Sequence, residues 1–143
     1  MSRALLDINI LLALVDGDHV DHRRAWEWLD AEIVHGWASC PVTENGFVRI
    51  ISQPGYPSPV PTSQAFALLR QACVPPHHQF WSCDVSLLDD AVLDSARIHG
   101  PKHVTDLYLL ALAVSNDGRF VTFDRSVPTG AVRGAKHRHL VVI

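Results

Sequence analysis

Lysine and glutamate are both scarce in this chain. Lys102 and Lys136 are the only lysines among 143 residues, and Glu27, Glu32 and Glu44 are the only glutamates. Cysteine is sparse too. Cys40, Cys73 and Cys83 are odd in number and lack metal-ligand spacing, which fits reduced thiols in a cytoplasmic protein rather than a disulfide framework. No apolar run approaches the length that crosses a membrane, so no membrane association is expected. The run behind Arg3 is interrupted by Asp7 and Asn9 and lacks a small-residue cleavage site, which excludes a secretory signal there. There is no internal repeat and no low-complexity tract. A net charge of -3 excludes a strongly basic protein that coats nucleic acid, though not a local basic patch.

What the chain does have is apolar residues in quantity. With 48% hydrophobic and 19% charged residues, 1–143 is expected to form one domain with a sizeable core. Its organising stretch is Arg3-Ala4-Leu5-Leu6-Asp7-Ile8-Asn9. Leu5 and Leu6 suggest a buried strand, followed by a helix from about Asn9. Burying an unpaired carboxylate costs several kcal/mol, on the order of a lost fold for a small domain. Asp7 is therefore expected where the strand leaves the sheet and opens onto a cleft, the place where open α/β sheets bind ligands. Alone it would also serve as a plain helix cap.

Further elements follow in order. A helix is predicted over 21–34, with Ala25, Trp28, Leu29 and Ile33 on one face, so Trp28 is expected to pack rather than to stack on a base. A strand is predicted over 36–41, then a helix with Thr43 as its N-cap and Glu44 in its first turn. The proline-rich residues 53–61 form a loop, and a helix starts near Pro61. Phe80-Trp81-Ser82 suggests a short strand, and residues 86–99 a helix with Leu88, Ala91 and Val92 inward. His77, His78 and His99 suggest surface histidines. Thr105 is expected to cap a helix that Asp106 begins. That helix is apolar on every side, so it needs cover beyond the sheet, from a second subunit for instance. Residues 119–124 form a strand ending in Asp124, and 139–143 a last one.

Strands alternating with helices predict an α/β fold of three layers, α/β/α, around a mainly parallel sheet. Asp7, Glu44 and Asp124 then leave strands at one edge, and Asp106 enters a helix there. Four converging carboxylates are held ionised most cheaply by a divalent cation, and oxygen-only ligands suit Mg²⁺ or Mn²⁺. Asn9, Thr43, Thr105 and Thr122 are candidates to orient them. Such acidic clusters mostly serve phosphate chemistry. The nine histidines are scattered, and none adjoins the four acids in motif order, so a pair of imidazoles is not expected at the site.

The segments Leu6-Asp7-Ile8-Asn9, Thr43-Glu44, Thr105-Asp106-Leu107-Tyr108-Leu109-Leu110-Ala111-Leu112-Ala113 and Val121-Thr122-Phe123-Asp124-Arg125 resemble the acidic motifs of PIN-domain ribonucleases, most closely VapC-type toxins of bacterial toxin–antitoxin modules. The resemblance runs the length of the chain in order and spacing. It implies an Mg²⁺- or Mn²⁺-dependent endoribonuclease acting on RNA, a homodimer, and neutralisation by an antitoxin protein. By the same resemblance, Asp7, Glu44, Asp106 and Asp124 are catalytic, metal-binding acids, with Asn9 and Thr122 beside them. One departure is Ser126-Val127-Pro128, where the family often has glycine and then an aromatic. Two other classes compete. An aspartyl-phosphate phosphatase or receiver-like domain would want a lysine near its phosphate, and only two lysines exist. A non-catalytic PIN-like interaction module would not need all four acids.

Overall fold

Ala4, Leu5 and Leu6 are buried on both faces of the sheet in the structure, a computed structural model that describes residues 2–143. They form β1 (Ala4–Leu6), followed by α1 (Ile8–Val15), α2 (His22–Glu32), β2 (Trp37–Ser39), α3 (Pro41–Ile51), α4 (Thr62–Ala72), β3 (His78–Phe80), α5 (Val104–Ser115), β4 (Arg119–Thr122) and β5 (Leu140–Val142). The strands form one sheet in the order β3-β2-β1-β4-β5, and every pairing is parallel. Strand order reverses between β1 and β4, which leave their carboxyl ends side by side.

The period of two along the strands distributes side chains to two cores. Ala4, Leu6, Trp37 and Val121 pack with α1 to α4 on one face. Leu5, Ala38 and Phe120 pack with α5 on the other. Helices thus cover both faces, as expected for three layers. Trp28 packs against the first core, with the Arg119 guanidinium 5.4 Å from its ring centre.

α5 buries Leu107, Leu109, Leu110, Ala111, Leu112 and Ala113, and each leucine so placed contributes about 1.5–3 kcal/mol. The cover that its all-apolar surface requires comes from the chain itself. Trp81, Leu93, Val127, Ala131 and Val132 are buried in the same cluster, so this helix needs no second subunit.

Residues 86–99 do not form the predicted helix. They make turns and a 3-10 turn at Ser95–Arg97, tied to the 131–133 segment by the Asp94 amide on the Ala131 carbonyl and the Arg133 amide on Val92. The cause is local. The side chains of Ser86, Asp89 and Asp94 accept hydrogen bonds from the amides of Leu88, Ala91 and Ala96, two residues on in each case. Such bonds compete directly with the helical ladder. Leu88, expected inward, is 88% exposed, and Leu93 is buried instead. β3 also lies two residues earlier than expected, because its partner register with β2 runs from Trp37↔His78 to Ser39↔Phe80. Trp81 then turns into the α5 core.

α3 starts at Pro41, two residues before the expected cap. Cys40 occupies the N-cap position, and Thr43 reaches back to accept the Cys40 amide at 3.0 Å. Gly46 in the next turn is buried, and a Cβ built there would lie 2.9 Å from Ile8 Cγ1 and closer still to its Cδ1. A helical glycine costs about 1 kcal/mol relative to alanine. Here it lets α3 approach the start of α1, just beyond Asp7. Gly46→Val should therefore lower stability by about 1–3 kcal/mol through overpacking. Urea unfolding checks this, and an unchanged midpoint would mean that the contact between α1 and α3 is slack.

Candidate metal centre

Asp7 follows β1 directly and has an extended backbone, φ -61° and ψ 155°, so its carboxylate faces the amide end of α1. Its Oδ1 accepts the Ile8 amide at 2.7 Å and its Oδ2 accepts the Thr122 hydroxyl at 2.6 Å. Asp7 thus caps α1 and stands at the carboxyl end of β1 at once. Asp7 is only 5% exposed. Burial pushes its pKa up, the bonds from Thr122 and Ile8 oppose that, and the charge of Asp124 adds to the push.

Asp124 lies two residues beyond β4. Its amide donates to Thr122 Oγ1 at 3.1 Å, so one hydroxyl ties both aspartates to the end of β4. The Ser126 amide and hydroxyl donate to Asp124 Oδ1 at 2.8 and 2.6 Å. These bonds from Ser126 hold the Asp124 carboxyl below the usual range.

Asp106, in the first turn of α5, completes the convergence. Burial first, then the charges of Asp7 and Asp124 and a hydrogen bond with Asp124, push it up to about 7. Asp7 and Asp106 are thus both pushed up, while Asp124 is held low.

His103, which sequence reasoning left out, belongs here. It ends the 3-10 turn Pro101–His103 and stands in the N-cap position of α5. One ligand atom from each of His103, Asp106 and Asp124 lies within 4.8 Å of the others. Its Nδ1 is buried with no hydrogen-bond partner among the described residues. The available signal was spacing, since residues three apart share a helix face.

The other expected site residues lie elsewhere. Glu44 is in the first turn of α3 at the same sheet edge, but its Oε2 accepts the Ser39 hydroxyl at 2.6 Å and its carboxylate lies among Cys73 and His78. Thr43, in the first turn of α3, bonds back to Cys40 and makes no hydrogen bond to a site acid. Asn9 and Thr105 are exposed and make no side-chain hydrogen bond among the described residues. Thr105 is also not the cap of α5. Of the four candidates to orient the carboxylates, Thr122 alone does so. His78 is not the free surface residue expected, because its Nε2 sits 2.8 Å from Ser39 Oγ.

The model of the PIN domain family matches residues 4–129 of this chain. The chain belongs to the PIN-domain family. Ribonuclease VapC44 of Mycobacterium tuberculosis (strain ATCC 25618 / H37Rv) is 59% identical to it over 141 residues, covering 99% of each chain. Ribonuclease VapC38 of the same strain is 42% identical over 134 residues, 93% of each. This PIN domain is accordingly of the VapC type. A crystal structure of VapBC2 from Rickettsia felis bound to a DNA fragment from their promoter superposes with a TM-score of 0.60 over 98% of this chain and 96% of that one. At 12% identity, the likeness is one of fold. The carboxyl-end crevice where β1 and β4 part is where an open parallel sheet binds its ligand.

The donors present suit a hard dication. Asp106 and Asp124, with His103, place one ligand atom each within 4.8 Å of one another, the Asp7 charge acts on Asp106, and this mutual repulsion is what such an ion would relieve. The Asp106 value also fixes a pH dependence. Its folded value, about 7, lies above the ordinary 3.8. The folded protein thus keeps a proton that the unfolded chain has lost. The stabilisation is complete below the unfolded value and disappears as pH rises through the folded one. Metal-free protein should accordingly lose stability between about pH 4 and about pH 7, and Asp106→Asn should remove that slope, gaining about 1–2 kcal/mol at the upper end after allowance for partial exposure. Urea unfolding in chelator measures both. A variant less stable than its parent at the upper pH would make Asp106 a structural residue.

Proposed function

We propose that this PIN domain is a divalent-metal-dependent endoribonuclease and the toxin of a type II toxin–antitoxin pair, acting in the cytoplasm as a single domain. VapC relatives that match nearly end to end bear the name ribonuclease. One observation carries the chemistry: Asp7, Asp106 and Asp124 crowd together where strand order reverses, with Asp106 pushed up to about 7 by burial and its two neighbours. Such a group is built to be neutralised by a cation.

Asp7, Asp106 and Asp124 would hold Mg²⁺ or Mn²⁺, and Glu44 would join them by giving up its bond from Ser39. A bound ion of this kind lowers the pKa of an attacking water and stabilises the charge that builds on the leaving oxygen. Thr122 keeps Asp7 and Asp124 in fixed orientation. His103 places a ring nitrogen within 4.8 Å of the Asp106 and Asp124 carboxylates. It is one imidazole, so self-cleavage of RNA by its 2′-hydroxyl lacks the second imidazole that would assist it. Cleavage is therefore proposed to be hydrolytic, leaving 5′-phosphate and 3′-hydroxyl ends.

An antitoxin partner belongs to the same proposal, since an inserted arginine would pair bidentately with the acids. Homodimerisation rests on the family resemblance and not on α5. No helix among the described residues is long and apolar enough to cross a membrane. The aspartyl-phosphate alternative gains nothing from the structure, where Lys102 and Lys136 are exposed and make no ion pair with a site acid among the described residues.

RNA cleavage by purified protein should stop in excess EDTA and return with Mg²⁺ or Mn²⁺, and Asp106→Asn should reduce it by about 100-fold or more, or about 2.7 kcal/mol. Cleavage undiminished by chelator refutes the metal centre. End-group analysis tests the rest: a 2′,3′-cyclic phosphate product would rule out hydrolysis even if every acid proved essential.

A further inference from the structure

Beside the carboxylates at the strand reversal lies a second group with different donors. Glu44 in α3, Cys73 at the C-cap of α4 and His78 at the start of β3 each place one ligand atom within 4.8 Å of the other two. Ser39, the last residue of β2 and fully buried, stands between two of them, 2.6 Å from Glu44 Oε2 and 2.8 Å from His78 Nε2. The Trp37 ring lies 4.6 Å from the His78 imidazole and limits its rotation. All three ligand residues are half-buried. Glu44 and Cys73 also line a groove of about 580 Å³ between α3 and α4, which gives an ion a route from solvent.

The donor set is one sulfur, one nitrogen and one oxygen. Mg²⁺ and Mn²⁺ prefer oxygen, whereas a thiolate with an imidazole selects Zn²⁺ and similar ions. Ligands at about 2.0–2.3 Å from a tetrahedral ion stand about 3.3–3.8 Å apart, so the group needs to close by up to about 1.5 Å. Half-buried side chains reach that by small rotations. Three protein ligands leave the fourth position to water.

We propose that Glu44, Cys73 and His78 form a second metal site, for Zn²⁺ or a similar thiolate-binding dication, and that filling it holds Glu44 away from Asp7, Asp106 and Asp124. The site itself stands apart from the nuclease proposal. Its effect on catalysis rests on that proposal, because Glu44 is then shared between two competing sets of ligands.

Metal-free, full-length protein titrated with Co²⁺, an optical stand-in for Zn²⁺, tests the site. A near-ultraviolet thiolate-to-cobalt band should grow to one equivalent and be displaced by Zn²⁺. Cys73→Ser should abolish the band although Cys40 and Cys83 remain, and His78→Gln should weaken binding by about tenfold or more, with circular dichroism checking that each variant is folded. Asp106→Asn should keep the band. No band in the parent, or a band that survives Cys73→Ser, overturns the site. Zn²⁺ added before Mg²⁺ should slow RNA cleavage by the parent, and the ratio of rates with and without Zn²⁺ should return toward one in Cys73→Ser. Equal inhibition of parent and variant overturns the sharing of Glu44. If no preparation cleaves RNA with Mg²⁺ or Mn²⁺, the nuclease proposal falls, while the cobalt titration still decides the site.

Discussion

A carboxylate that is 5% exposed has to be hydrogen-bonded or protonated, and the Asp7 carboxylate draws the other parts of the crevice to itself. It accepts the first amide of α1 and the Thr122 hydroxyl, which joins the end of β1 to the end of β4 across the reversal in strand order. The same hydroxyl accepts the Asp124 amide. Without these bonds, burial alone would cost several kcal/mol, on the order of half the stability of a small domain. With them, Asp7 is fixed in one orientation, and the charges of Asp124 and Asp106 must be accommodated around it.

That accommodation divides the aspartates into two kinds. Asp124 is held low by the hydroxyl and amide of Ser126, while Asp106 is pushed up to about 7 by burial first and then by the charges of Asp7 and Asp124. Two identical side chains thereby shift in opposite directions from their ordinary value through environment alone. Ser126 is what stabilises the Asp124 anion. Glu44 is a third case. Its carboxylate has found Ser39, His78 and Cys73, partners that offer hydrogen bonds and a soft ligand set rather than more negative charge. The Gly46–Ile8 contact keeps α3 close to α1, so Glu44 stays at the edge it would need to reach.

Polar side chains also decided where regular structure stops. The 86–99 stretch has helical periodicity on paper, yet Ser86, Asp89 and Asp94 cap the backbone two residues ahead, and the chain turns instead. The result serves the core. Leu93 and Val132 meet over α5, and an all-apolar helix finds cover within its own chain.

Much was written in the sequence by itself. Alternating apolar strands and amphipathic helices determine a parallel α/β sheet because period two and period 3.6 leave few other ways to bury those faces. The motif order named Asp7, Glu44, Asp106 and Asp124 as acids and Asn9, Thr43, Thr105 and Thr122 as residues to orient them; in the fold Thr122 bonds Asp7 and Asp124, while Glu44 bonds Ser39. Tertiary structure alone decided the rest. His103 lies three residues before Asp106, but its burial beside Asp124 depends on where β4 delivers that residue. Glu44, Cys73 and His78 come from three elements separated by loops, and sequence spacing carries no record of their meeting. The direction of the Glu44 carboxylate is set by one serine at the end of the neighbouring strand. Side-chain hydrogen bonds of about 1 kcal/mol choose between such alternatives, and their partners exist only once the chain has folded.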